Sequence, residues 1–225
     1  MSGRNCKKIL ILGATGPTGI LTVHTALEHN HTVTIYARNP SKLPASISSN
    51  PNVRIIRGDL TEAEALSKAV EGQDAIVSLL GPSTGNVAGN PFTDAYQLIF
   101  SLMKRWEVKR ILAMGTSSIP DEHDGFSIIA FLGVALIRII ANSVYKEIVG
   151  VGKIFETEAT KDGLDWTIFR LGFLSNGAPQ TPKVGYVGKD GWVIKTQRAD
   201  IATWLVDEVE KNNSEWIRKK PSVWS

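Results

Sequence analysis

The chain has 225 residues, with 25 lysines and arginines against 22 aspartates and glutamates, and a net charge of +3. Its basic residues are scattered, so the sequence predicts no nucleic-acid partner. Its one cysteine excludes an internal disulfide, and no signal peptide is visible, so the sequence favours a cytoplasmic protein. The length predicts a single domain over residues 1–225.

The first predicted elements are an apolar strand, Lys8–Leu12, a glycine turn and a helix. Gly13 is expected to make the tight turn, Gly16 to leave room for a pyrophosphate, and Gly19 to let the helix pack on the strand. The N–H groups of a helix N-terminus attract phosphates. This context predicts a dinucleotide site. Its other expected members are Thr15, Pro17 and Thr18.

The second predicted strand, Thr32–Ala37, bears on the choice of cofactor. An NAD-selective site places an acidic residue after this strand to bind the ribose hydroxyls, whereas this chain has Arg38. Arginine can hold a phosphate through two hydrogen bonds, and Ser41 and Lys42 would assist. The sequence therefore predicts NADP(H) rather than NAD(H).

A third strand, Val53–Arg57, and a fourth, Ala75–Leu80, continue the alternation. Between them Thr61 is predicted to cap a helix, with Glu64 completing a capping box. The polar loop 83–90 is expected to be mobile.

Three hydroxyl residues follow the fifth strand, Arg110–Met114, which comes after a helix over Asp94–Trp106. They are Thr116, Ser117 and Ser118. A hydroxyl at this point can bond a substrate carbonyl, or it can simply bond the local backbone.

The segment 126–141 is almost wholly apolar. It is shorter than the roughly 20 residues of a membrane span, and Arg138 interrupts it, so no span is expected. A buried core helix, a homodimer interface, a substrate lid or membrane association remain as alternatives.

The rest of the chain keeps the same alternation, which predicts an α/β fold, a Rossmann-like doubly wound parallel sheet with helices on both faces. Segments of about 119–145 and 173–198 would form the substrate region over the carboxyl ends of the strands. The remaining predicted elements are a helix over Val144–Lys161, a strand over Trp166–Arg170, and a final helix over Ile201–Glu210 with Asp200 as its N-cap.

The histidines are predicted to have no metal role. His24, His29 and His31 are expected on the surface, because no carboxylate or cysteine completes a ligand set. His123 is expected in a solvated loop, with a proton relay as the alternative.

The spacing G-x-x-G-x-x-G, with Ala14-Thr15 and Pro17-Thr18 between the glycines, resembles the atypical short-chain dehydrogenases/reductases. The closest likeness is to the NmrA-like branch, with its biliverdin-IXβ/flavin reductases and fungal secondary-metabolite reductases. The run Asp162–Phe173 is similar to the same branch and extends the likeness over nearly all of the chain. The resemblance implies further cofactor contacts at Asp59, Leu60, Leu80, Gly81 and Thr116. Asp59 has the alternative role of stabilising a turn without contacting the cofactor.

The catalytic pair of this superfamily is incomplete here. Short-chain reductases commonly place a lysine one helical turn after a tyrosine, but Val149 stands one turn after Tyr145. Lys153 is eight residues on. Tyr145 is either a proton donor or a packing residue. The resemblance leaves Ser117, Ser118, Tyr145 and Lys153 as the candidate catalytic residues.

Together these features predict an NADPH-dependent reductase of a small, flat, apolar carbonyl, quinone or aromatic compound. The missing tyrosine–lysine pair motivates a redox-neutral isomerase, dehydratase or cyclase as the alternative. A nucleotide-sensing regulator without catalysis is the third hypothesis.

Overall fold

The computed structural model describes residues 6–81, 89, 91–189 and 191–225. Its strands are β1 (Lys8–Leu12), β2 (Thr32–Ala37), β3 (Val53–Arg57), β4 (Ala75–Ser78), β5 (Arg110–Thr116), β6 (Asp165–Leu171), β7 (Phe173–Ser175), β8 (Lys183–Gly185), β9 (Lys195–Gln197) and β10 (Ser222–Trp224). Eight of these form one sheet in the order β3-β2-β1-β4-β5-β6-β10-β8, which is parallel except where β8 joins β10. Strands β7 and β9 pair separately.

The helices cover both faces of the large sheet. They are α1 (Pro17–Glu28), α2 (Ala45–Ser48), α3 (Ala63–Val70), α4 (Pro91–Arg105), α5 (Ile128–Ile140), α6 (Asn142–Ile154) and α7 (Arg198–Glu210). Helices α1 and α7 pack together on one face, and α4 packs against α3 and α6 on the other. The predicted doubly wound α/β fold is confirmed.

Strand β1 shows why the apolar runs form central strands. Leu10 and Leu12 enter the core beneath α3, α4 and α6, whereas Ile9 and Ile11 enter the core beneath α1 and α7. Successive side chains of a strand point to opposite faces, so a strand buried on both faces needs an uninterrupted apolar run.

Several element bounds differ from the prediction. Strand β4 ends at Ser78 rather than Leu80, and α4 begins at Pro91, a residue suited to the first turn because it has no N–H to satisfy. The long helix predicted over Val144–Lys161 is α6 followed by a π-helical turn at Phe155–Ala159. Apart from Gly89, the loop predicted at 83–90 lies outside the described residues.

Two predicted helix caps are wrong. Thr61 does not cap α3, because its N–H and hydroxyl both donate to Asp59 Oδ1 within a turn. Asp200 lies inside the first turn of α7, which begins at Arg198. Its Oδ1 accepts a hydrogen bond from the Gln180 backbone N–H at 2.7 Å.

The apolar segment forms helix α5, of which only Ala130 is buried. Of the large apolar side chains in α5, Ile139 is 79% exposed and Ile140 is 69% exposed. Within the described residues no single helix has the length and apolar character to cross a membrane. Among the helices that the structure describes, only α5 and residues 142–159 reach that length and composition together, and they are bent by 118°.

Candidate functional site

The glycine turn between β1 and α1 is held by close backbone contacts. Gly13 has a φ of 80°, and a Cβ there would lie 2.7 Å from the Leu79 carbonyl oxygen. A Cβ on Gly19 would lie 2.4 Å from the Gly13 carbonyl oxygen and 2.6 Å from Ala14 Cα. Side chains are therefore excluded at both glycines by the protein itself, in keeping with a tight turn and close helix–strand packing.

Gly16 is different, because the protein does not require its small size. The nearest protein atom to a Cβ there would be the Gly13 carbonyl oxygen, at an ordinary contact distance of 3.5 Å. Helix α1 starts at Pro17, has no side-chain cap at Gly16 and has no acidic residue in its first turn. Its first-turn N–H groups, which include those of Thr18 and Gly19, suit an anion. A cradle that a Cβ would fill, at a positive helix end beside Thr15, fits a dinucleotide pyrophosphate.

The end of β2 presents two exposed cations. Arg38 is 80% exposed, with its Nε 3.9 Å from Asp59 Oδ2, and Lys42 is exposed on the 3₁₀ turn Pro40–Lys42. The Asp59 carboxylate also accepts from Thr61, so its turn-stabilising role is present in the structure. An adenine contact by Asp59, and cofactor contacts by its neighbour Leu60, stay predictions.

The Tyr36 side chain holds the loop between β3 and α3, which carries Asp59. Its hydroxyl donates to the Asp59 carbonyl oxygen at 2.6 Å, and a Cβ on Gly58 would lie 2.2 Å from the Tyr36 hydroxyl oxygen. Burial, and then the nearby charges of Glu62 and Asp59, raise the pKa of Tyr36 to about 12. The hydroxyl therefore stays protonated and keeps donating across the ordinary pH range.

A cavity of about 60 Å³ lies at the carboxyl ends of β4 and β5, between α4 and α6. Three predicted cofactor residues, Leu80, Gly81 and Thr116, line it. Its described lining is otherwise formed by Phe92, Tyr96, Met114, Gly115, Ile119, Glu147, Ile148 and Val151. Because most of these side chains are apolar, the cavity suits an apolar ligand.

Two polar residues of this cavity, Glu147 and Tyr96, were missed by the sequence reasoning. Glu147 is 2% exposed, and its Oε1 accepts from the backbone N–H groups of Phe92 at 2.6 Å and Thr93 at 2.9 Å. Glu147 thus binds the N-terminus of α4, where a negative charge is favoured. The only local signal was an acidic residue within a predicted helix, which ordinarily indicates a solvated face.

The Tyr96 hydroxyl is fully buried and lies 2.7 Å from Ser78 Oγ at the end of β4. Burial raises its pKa well above its ordinary value, so the hydroxyl remains protonated. The ring packs edge-on against Phe155, with ring centres 5.0 Å apart. Tyr96 therefore forms a rigid wall of the cavity.

The hydroxyl cluster at the end of β5, which extends to Thr116, is only partly at the cavity. The Ser118 N–H donates to Thr116 Oγ1 at 3.2 Å, which leaves the Thr116 O–H to donate to a ligand. Ser118 Oγ is buried and has no hydrogen-bond partner among the described residues. Ser117 and Ser118 are not among the described lining residues.

Tyr145 and Lys153 both lie on α6 but not in the described lining of the cavity. The Arg138 guanidinium lies over the Tyr145 ring, with its Cζ 5.8 Å from the ring centre. The Lys153 side chain is exposed. The catalytic roles of Tyr145 and Lys153 stay predictions.

A buried ion pair links the loop that follows β5 to strand β6. Arg170 is fully buried and donates to both carboxylate oxygens of Asp124, at 2.6 and 2.7 Å. On the same loop, His123 has an exposed side chain that bonds Asp121 Oδ1 at 2.8 Å and stacks on Tyr186. These contacts place His123 in an exposed loop, as expected.

The prediction of three surface histidines is wrong for His31, which is fully buried. Glu210, from the end of α7, supplies the carboxylate that the sequence did not reveal. Its Oε1 lies 2.9 Å from His29 Nδ1 and 3.1 Å from His31 Nε2. We call these three residues the histidine cluster.

The hydrogen bonds of the histidine cluster do not suit a metal ion, although its ligand atoms lie within 4.8 Å of one another. The Lys7 backbone N–H donates to His31 Nδ1 at 3.2 Å, so the ring proton is on Nε2 and faces Glu210. A metal on Nε2 would leave an Nδ1–H pointing at another N–H, whereas metal-bound histidines donate from their second nitrogen to an acceptor. The cluster ties α7 to the start of β2.

Comparison with known proteins adds family and fold information. The model of the NAD(P)H-binding family matches residues 13–212. The chain is 27% identical over 215 residues to isoflavone reductase homolog A622 of Nicotiana glauca, and this alignment covers 90% of this chain and 64% of that protein. It is 33% identical over 96 residues to 3 beta-hydroxysteroid dehydrogenase/Delta 5-->4-isomerase of Mycobacterium tuberculosis (strain CDC 1551 / Oshkosh), which covers 40% of this chain and 23% of that protein. The chain thus spans less than two thirds of either relative.

Two solved structures share the fold. A short-chain dehydrogenase/reductase from Veillonella parvula DSM 2008, in complex with NADP, aligns with a TM-score of 0.79 at 17% identity over 97% of this chain and 94% of that one. ChuY, an anaerobillin reductase from Escherichia coli O157:H7, aligns with a TM-score of 0.69 at 19% identity over 96% of each chain.

Proposed function

We propose that this chain, which belongs to the NAD(P)H-binding family, is an NADP(H)-dependent reductase of a small, flat, apolar carbonyl, quinone or aromatic compound. The likeness of the sequence to fungal secondary-metabolite reductases suggests this substrate class.

The observation that carries the proposal is that the glycine turn and the apolar cavity adjoin each other. Gly13 lies against the carbonyl of Leu79, and the next two residues, Leu80 and Gly81, line the cavity. Ligands of open α/β sheets bind beyond the carboxyl ends of the strands. A dinucleotide with its pyrophosphate at Gly16 would therefore extend its nicotinamide toward the cavity.

The NADP(H) preference is supported by the charges at the end of β2. Arg38 and Lys42 are exposed there, and Asp59, 3.9 Å from Arg38 Nε, is a loose partner that a phosphate would outcompete. Replacing Arg38 with Ala is expected to weaken NADPH binding by about 10- to 100-fold, since a hydrogen bond to a charged group contributes about 1.5–3 kcal/mol. NADH binding should change little.

The exposed Arg54 on β3 provides the matched control for this test. Arg54→Ala removes the same charge away from the predicted site and should leave both affinities unchanged. Equal losses of NADPH and NADH binding in Arg38→Ala would refute the phosphate-binding role.

When bound, NADPH would supply a hydride to the substrate. Thr116 would donate its O–H to the substrate oxygen, and the apolar wall of Ile119, Ile148 and Val151 would contact the apolar part of the substrate. Glu147 would hold the start of α4 in place. With Tyr145 and Lys153 outside the described lining, we propose that the product takes its proton from solvent.

The position of Tyr145 and Lys153 also favours the second candidate, a redox-neutral isomerase, dehydratase or cyclase. The deciding experiment is to follow NADPH absorbance with a panel of quinones, flavins and polycyclic ketones and to quantify the product. One NADPH consumed per product formed supports the reductase. Product formed without net NADPH consumption supports the redox-neutral enzyme, and tight binding with no turnover would favour a sensor.

A further inference from the structure

The surface of α5 is more apolar than folding alone requires. Eight large apolar side chains between positions 126 and 140 are 56–80% exposed: Phe126, Ile128, Ile129, Phe131, Leu132, Leu136, Ile139 and Ile140. Taking roughly 170 Å² for a fully exposed large apolar side chain, they present about 900 Å² of apolar surface to water. The largest apolar patch of an ordinary monomer is about 300–600 Å². We call these eight side chains the α5 face.

The α5 face has the spacing of a helix-packing surface. Ile128, Leu132, Leu136 and Ile139 follow one another at intervals of four, four and three residues, so they form a single stripe along the helix. The opposite side holds Ala130, which is buried against the protein. A stripe of this kind interdigitates with the same stripe of another helix.

From this we infer that the α5 face is the interface of a homodimer, in which α5 packs against α5 of a second copy across a two-fold axis. The exposed area matches the roughly 800 Å² that each partner contributes to a stable interface of standard size. Homodimer interfaces are also the most apolar class of interface. An uncharged apolar face is complementary to itself, because it needs no opposite charge on its partner.

The charges around α5 favour a second copy over a membrane surface. Arg138 is the one charged residue of α5, and its guanidinium lies over the Tyr145 ring. In the segment just before the helix, Glu122 is exposed, whereas Asp121 and Asp124 are paired with Lys220 and Arg170. Helices that lie on anionic membranes have a polar face rich in lysine and arginine, which α5 lacks.

A dimer through α5 would also bear on the site. Helix α5 packs on α6, which contributes Glu147, Ile148 and Val151 to the cavity wall. Burying α5 in a dimer interface would therefore restrict the movement of α6 and of the cavity wall that it forms.

The test is the molar mass of the full chain, measured by sedimentation velocity and light scattering over a concentration series. The wild type is expected to be a dimer. Ile139→Glu and Leu132→Glu place a carboxylate on the stripe at positions 79% and 59% exposed, so the fold should survive. Each dimer carries two such buried charges, and the dissociation constant should rise roughly 100-fold or more. Ile139→Ala, which only removes apolar area, should raise it less.

The matched control is Thr203→Glu, which adds the same charge at an exposed position of α7, on the other face of the sheet. This variant should remain dimeric. Circular dichroism verifies the fold of each variant. A dimer unaffected by either α5 variant overturns the proposal, as does a monomeric wild type. Flotation with phosphatidylcholine–phosphatidylserine vesicles then separates a monomer that binds membranes from one that does not.

Discussion

Replacing Gly16 with Ala separates binding of the cofactor from folding. The added methyl group would have the Gly13 carbonyl oxygen as its nearest protein atom, at 3.5 Å, so the protein has room for it. Alanine is a poorer N-cap than glycine by a few tenths of a kcal/mol to about 1 kcal/mol, but it restricts the unfolded chain by about 0.4–1 kcal/mol. The free energy of unfolding should therefore change by less than about 1 kcal/mol, which shifts Tm by no more than about 2–4 °C.

Binding of NADPH should respond very differently. The methyl group would occupy the space in which the pyrophosphate approaches the first-turn N–H groups of α1. Losing one or two charge-assisted hydrogen bonds, at about 1.5–3 kcal/mol each, amounts to roughly 3 kcal/mol or about a 150-fold rise in Kd. The assay is titration calorimetry with NADPH, alongside thermal unfolding without cofactor.

Gly19→Ala is the control, because it should lower the free energy of unfolding more than it weakens NADPH binding. Its Cβ would lie 2.4 Å from the Gly13 carbonyl oxygen and 2.6 Å from Ala14 Cα, so neighbouring backbone must shift. Overpacking of this kind typically costs about 1–3 kcal/mol, and Gly19→Ala should unfold at a lower temperature than Gly16→Ala. A stable Gly16→Ala variant that binds NADPH with wild-type affinity would refute the location of the pyrophosphate.

Three further outcomes are expected. Asp124→Ala leaves Arg170 buried without its carboxylate partner and should lower the free energy of unfolding by about 3–5 kcal/mol in urea titrations, whereas Asp162→Ala, which breaks an exposed pair, should change it by less than about 1 kcal/mol. Because folding raises the pKa of Tyr36 from 10.0 to about 12, its stabilising contribution is complete below pH 10 and is lost as pH rises toward 12. The stability of the wild type should therefore fall more steeply than that of Tyr36→Phe over this interval, and parallel curves would contradict the shift. EDTA should leave Tm unchanged, since the histidine cluster has hydrogen bonds unsuited to a metal; a lower Tm that zinc restores would overturn that assignment.

Much of the fold could be predicted from neighbouring residues along the chain. The bounds of β1, β2 and β3 match the prediction, because buried parallel strands need unbroken apolar runs and turn residues on either side. The dinucleotide turn was recognisable because Gly13, Gly16 and Gly19 act within seven residues of one another. Caps were less predictable, since the side chains of the predicted cap residues, Thr61 and Asp200, bond other partners.

The site depends on partners that are remote in sequence. Glu147 binds the N–H of Phe92 across 55 positions, and His31 meets Glu210 across 179 positions. No local pattern distinguishes such a carboxylate from one on a solvated helix face. The sequence by itself determined the alternating strands and helices, the glycine turn and the apolar character of α5, which are properties of near neighbours. Only the tertiary structure decided which polar groups are buried together and that α5 faces water, because burial depends on where the sheet brings distant segments into contact.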